Sequence, residues 1–256
     1  MKLRLLTEEN SYAPNLFTNG DFKINQRGQS VYVFGEYSAD MWFCNGDSFG
    51  WNKDGVTFYN VWQKLKPLPN GKYMFSYRKY NELEQKYISL SSNNATADDG
   101  YLQVSIQTDS SYSKVIIQKK GGGQVDRLRF VRLNEGSVKQ KHIEEDYDEA
   151  IFRCFNHVVV FENQNNAIGV GLAQTTSATE AVAIIQLPAE MSGIPNVLRV
   201  GNWSLKGIAG VNKVKKVQVS KNILYLTLEI SNSVADIIRI LTVNEGSKMI
   251  ITSEPQ

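Results

Sequence analysis

From residue 31 onward the chain is patterned in short β-branched or aromatic runs closed by turn residues. They are VYVF (31–34), VTFYNVW (56–62), KYMFSYR (72–78), KYISL (86–90), YLQVSIQ (101–107), KVIIQK (114–119) and LRFVRL (128–133). Such runs fit the pleated, half-buried surface of a strand. PNGK (69–72) and DDG (98–100) place Asn or Asp before Gly, the chemistry of a tight turn. Strands this closely spaced, with no helices between, predict a sandwich or barrel. Residues 15–138 are therefore read as one β-sandwich.

The period changes once. In HIEEDYDEAIFRCFNHVVV the apolar positions Tyr147, Ala150, Ile151, Cys154, Phe155 and Val158 make an amphipathic stripe. Glu144, Glu145, Asp146 and Asp148 stand at its start, and Arg153 and His157 near its end, each complementing the helix dipole. The expectation is a linker and central helix over 139–158, about four turns long. Strand patterns then return at 168–174, 180–187, 197–205, 214–220, 223–230, 235–243 and 248–254. LTLEI and VKKVQV alternate cleanly, and SKN (220–222) reads as a hairpin connection. Residues 159–256 are expected to form a second, smaller β-sandwich. The fold class is mostly β: two jelly-roll-like sandwiches joined by one amphipathic helix.

Composition narrows the function classes. The 256 residues carry a net charge of +2, which gives no electrostatic signal for nucleic acid or membrane. MKLRLLTEEN is too poor in apolar residues for a secretory leader, and no apolar run reaches the roughly 20 residues of a membrane helix. The protein is expected to be made in a cytoplasm without membrane insertion. Cys44 and Cys154 are read as free core thiols.

Motifs for chemistry are sparse. NLFTNGDFKINQRG (15–28) lacks the closely spaced glycines and Lys-Ser/Thr of a phosphate loop. Asn15, Asn19 and Asp21 match a calcium loop only in part. GGG (121–123) precedes a strand rather than a helix and is expected at a hairpin tip. Cys154 and His157 have metal-compatible spacing, but two ligands do not make a zinc site. No metal, cofactor or catalytic residue is assigned. Aromatics concentrate at 42–77, where Trp42, Phe43, Phe49, Trp51, Tyr59, Trp62, Tyr73 and Tyr77 lie. Some must fill the core. Those left exposed could stack on sugar rings, and Trp42, Trp51, Tyr59 and Trp62 are the candidate glycan-binding residues.

The opening stretch, with YSADMW (37–42), resembles the start of many tailed-bacteriophage appendage proteins. The match falls on Asn15, Leu16, Asn19, Gly20, Asp21, Phe22, Ile24, Gln26, Arg27, Gly28, Tyr37, Asp40 and Trp42, with Met41 where that family usually has Arg. Three further blocks follow in order: RLNEGSV (132–138), EEDYDEAIFRCFNHV, and IIQLPAEMSGIPNVL (184–198), with IITSEP closing the chain. The resemblance implies a head or tail fibre or other virion decoration, a carbohydrate-binding-module-like jelly roll, a central helix, a C-terminal β-sandwich and a homotrimer. It carries over no catalytic residues. The expected oligomer interface is the helix face Tyr147, Ile151, Cys154, Phe155 and Val158, meeting copies of itself on a three-fold axis. Residues 1–14 are expected to dock onto other virion proteins, with a host surface glycan as a further partner. The alternatives are a carbohydrate-binding module outside any virion, or a glycan-degrading enzyme.

Overall fold

The computed structural model describes residues 13–35, 37–162, 165–206, 209–231 and 233–253. The segment 1–14, expected to dock onto other proteins, therefore lies almost wholly outside the described residues. The chain divides into two compact units after Ile151. Both are built from antiparallel sheets, and the chain is mostly β.

The first unit contains β1 (Val31–Val33), β2 (Phe43–Cys44), β3 (Ser48–Asn52), β4 (Gly55–Phe58), β5 (Asn60–Leu65), β6 (Tyr73–Lys79), β7 (Lys86–Leu90), β8 (Thr96–Asp98), β9 (Leu102–Thr108), β10 (Ser113–Lys119) and β11 (Val125–Glu135). One sheet has the order β1-β3-β4-β11-β6-β7, the other β2-β5-β10-β9-β8. Between them lies a core rich in aromatic rings. Phe17 and Phe22 sit 5.0 and 5.1 Å from the fully buried Trp42. Each such ring pair contributes about 0.5–1.5 kcal/mol beyond its buried area. The run VTFYNVW splits at Tyr59 into β4 and β5, which belong to different sheets. The glycine run 121–123 likewise joins β10 to β11 across the two sheets rather than turning a hairpin. All three glycines have φ between 78° and 88°, the left-handed region that lets the chain cross without Cβ strain.

Helix α1 (Tyr147–Phe155) has nine residues, shorter than the four turns the stripe predicts. Asp146 caps it, its Oδ1 accepting from the backbone N–H groups of Asp148 and Glu149. The helix ends in a turn at Asn156 and His157, where His157 N–H donates to the Cys154 carbonyl, and the β-branched run beyond forms β12 (Val158–Glu162). Val158 is thus a strand residue whose position mimics one more helical turn.

The second unit adds β13 (Ile168–Ser177), β14 (Glu180–Gln186), β15 (Asn196–Val200), β16 (Trp203–Leu205), β17 (Ala209–Ser220), β18 (Ile223–Ile230), β19 (Ile238–Val243) and β20 (Lys248–Thr252). The expected smaller sandwich is here more closed than its pattern tells. β13-β14-β18-β17-β16-β19 form a barrel, flanked by the three-stranded sheet β12-β20-β15. Register shifts in β13 and β17 bend those strands enough to close the sheet. Ala173, Ala181 and Ala183 point inward with Leu224, Leu226 and Leu228, small against large, as a narrow barrel requires.

Candidate functional site

The residues of the opening stretch build a frame. Asn19 donates through Nδ2 to the carbonyls of Ile24 and Asp40 and accepts from Ile24 N–H. The Trp42 indole N–H closes on the Asn19 carbonyl at 3.0 Å. Buried Asp40 accepts from Gln26 through backbone and side chain, and Arg27 lies 3.5 Å from its Oδ1. Asn15 bonds the backbone of Phe17, Val131 and Leu133. A Cβ on Gly20 would come within 2.4 Å of Asn15 Nδ2 and 2.5 Å of the Val131 carbonyl, so only glycine fits there. These side chains are committed to backbone groups, which is turn and strand-edge chemistry rather than calcium ligation. Among the described residues no group of three or more His, Cys, Asp or Glu is placed to hold a metal.

Asp21 does something the sequence does not announce. It holds residues 137–146, which run as a strap across the outer face of the six-stranded sheet. Its Oδ1 lies 3.0 Å from His142 Nε2, and its Oδ2 accepts from Glu145 N–H at 2.9 Å. The His142 ring stacks flat on Phe130 at 3.7 Å. Gln140 accepts from Arg132 and from Ala13 N–H through its side chain, and from Gln85 through its carbonyl. Beneath the strap, the register pairs Phe130 with Arg78, Arg132 with Ser76 and Asn134 with Met74. The face is polar yet covered. Ser76 Oγ, Arg78 Nε, Asn134 Oδ1 and His142 Nδ1 are buried without a protein hydrogen-bond partner.

Where the strap meets β3 and β4, a cleft of about 330 Å³ opens. Trp51, Lys53, Arg78, Arg129, Phe130 and His142 are among its walls, with Tyr147 at one end. A separate pocket of about 490 Å³, walled by Leu83, Glu84, Gln85 and Tyr87, shares Arg78, Phe130, His142 and Glu144 with it. Those sizes suit a small ligand. Trp51 is half-buried, and its indole N–H donates to the Phe22 carbonyl at 2.6 Å, fixing the ring against the core. The acidic groups of the cleft are matched. Asp21 faces His142, Glu144 lies 2.9 Å from Lys23, and Asp54 lies 3.6 Å from Arg127. Among the described residues no carboxylate lies within ion-pair distance of Lys53, Arg78 or Arg129.

The four candidate glycan residues do not converge. Trp42 is wholly in the core, which removes it as a stacking platform. Trp62 is 6% exposed, stacked on Phe43 at 4.4 Å and covered by Lys114 Nζ 4.6 Å from its ring, so its faces are taken. It belongs to the five-stranded sheet, opposite Trp51. Tyr59 is partly exposed between β4 and β5, away from the walls of that cleft. Of the four, Trp51 lines the cleft beneath the strap. Arg78, Arg129, Phe130 and His142 escape the sequence reading because they lie far apart along the chain.

The proposed helix interface also needs revision. Cys154 and Val158 are fully buried within one chain, and Phe155 packs on the core of the second unit. Ile151 is partly exposed and Tyr147 is 52% exposed, so only that end of the stripe remains open. A different apolar surface is open. Ile240, Leu172, Ile184 and Tyr225 are direct cross-strand neighbours around the outside of the barrel. Leu172 is 59% and Ile184 48% exposed.

His157 ends the helix segment with its Nδ1 2.7 Å from Ser192 Oγ, which lies 3.1 Å from Ser253 Oγ. Ser253 N–H donates to the His157 carbonyl. Burial, and then the Arg153 cation, hold the His157 imidazole below its ordinary range. The cluster ties together the helix end, the Leu-Pro block and the last strand. No family model, curated protein or solved structure matches this chain.

Proposed function

We propose that this chain is a non-enzymatic structural subunit of a tailed-bacteriophage virion, a head or tail fibre or appendage that contributes to host-surface attachment. The observation that carries the reading is the fate of the residues bearing the family resemblance. Asn19, Gln26, Arg27, Asp40 and Trp42 form one frame around the buried Asp40, and Asn15 ties the stretch to the backbone of Val131 and Leu133. Residues spent on the frame leave the loops, the cleft and the barrel exterior to carry recognition, which is how a display scaffold divides its labour.

The subunit acts as a homotrimer in this reading. The row Ile240, Leu172 and Ile184 on the barrel is the surface that favours contact with a second copy, since exposed contiguous apolar side chains mark interaction sites. A carbohydrate-binding module outside a virion is the second reading, favoured by the cleft beside Trp51. The experiment is adsorption competition. Host cells preincubated with the purified chain are expected to adsorb fewer particles of the phage that encodes it. Unchanged adsorption at saturating chain would overturn the attachment role.

A further inference from the structure

We propose that the cleft of the first unit binds an acidic sugar residue, its ring against Trp51 and its carboxylate between Arg78 and Arg129; this rests on the attachment reading above. Three features point the same way. The first is shape: a cleft of about 330 Å³ accepts one ring. The second is the platform. Trp51, of the 42–77 cluster, lines this cleft, and its polar edge is already bonded to Phe22. The ring packs partly on the core, and what remains of it in the cleft wall is the apolar surface available to the C–H side of a sugar.

The third feature is charge. Asp21, Asp54 and Glu144, the carboxylates of this cleft's own walls, each have a cationic or imidazole partner, whereas Lys53, Arg78 and Arg129 have no carboxylate within ion-pair distance among the described residues. Arg78 is held over Phe130, 5.5 Å from the ring centroid, and its Nε has no protein acceptor. A guanidinium in that position presents donors in a fixed fork that matches a carboxylate. A neutral sugar would leave these cations uncompensated. A bare inorganic anion would leave Trp51 unused. An acidic sugar uses both walls.

The test is a titration of the full, isotope-labelled chain with D-glucuronate, D-glucose and inorganic phosphate, read at the Trp51 indole N–H resonance by NMR. Glucuronate is expected to shift that resonance to saturation in the millimolar range, roughly tenfold tighter than glucose, and added salt is expected to weaken it. Arg129 is exposed, so Arg129→Gln keeps the fold. It is expected to weaken glucuronate about tenfold while leaving the weak glucose response unchanged. Arg129→Lys is expected to restore part of the loss. Equal responses to glucose and glucuronate would overturn the proposal, as would a silent Trp51 resonance. Phosphate binding as tightly as glucuronate would also overturn it, since the sugar ring would then contribute nothing. If the titration fails while adsorption competition holds, the cleft assignment falls and the attachment reading stands. If the titration succeeds while competition fails, the reverse is true.

Discussion

Asp40 shows what a single residue does in this fold. It is buried, and it accepts from Gln26 while pairing with Arg27. Removing one partner of a buried pair leaves the other charge without compensation. Asp40→Ala is expected to destabilise the first unit by about 3 kcal/mol, read as a lower urea midpoint at unchanged slope. Part of this was legible in the sequence: Asn15, Asn19 and Asp21 match a calcium loop only in part, and Asn15 and Asn19 are spent on backbone groups instead. The role of Asp21 was not legible, because its partners His142 and Glu145 lie more than 120 residues away and no local pattern encodes them. Trp42 was misread for a related reason. Aromatics favour cores and sugar sites alike, and only the fold tells Trp42 in the core from Trp51 at a cleft.

Elements were more legible than their connections. Most strands fall where alternation and β-branched runs place them. The helix was read too long because Val158 satisfies both a helical stripe and a strand. The glycine run at 121–123 was read as a hairpin because turn residues do not say which sheet the next strand joins. The same junction at the helix end carries a pH dependence. The folded chain holds His157 below its ordinary value of 6.5, by burial first and by Arg153 second. The unfolded chain therefore takes up the proton first as pH falls. Stability of the second unit is expected to be flat above about pH 6.5 and to decline below it, until the folded imidazole also protonates. Thermal melts across pH 7 to 5 check this, and His157→Gln is expected to flatten that part of the profile. A melting temperature that rises on acidification would contradict the assignment.

At the scale of the whole molecule, the mostly β class was legible, whereas barrel closure was not, since it depends on register shifts in β13 and β17 that alternation alone does not show. Closure matters for assembly because it turns Ile240, Leu172 and Ile184 outward as one row. Light scattering is expected to give a mass three times the 28.8 kDa of one chain. Leu172→Lys, at an exposed position, is expected to give monomers with an unchanged fold, because charge is not tolerated at a dry contact. A trimer that survives this substitution would place the contact elsewhere. The central claim, that the chain is a virion subunit, is tested most directly by mass spectrometry of gradient-purified particles of the encoding phage. The account predicts the chain as a stoichiometric component that stays with the particles through purification. Its presence in the lysate but not in the particles would contradict the account.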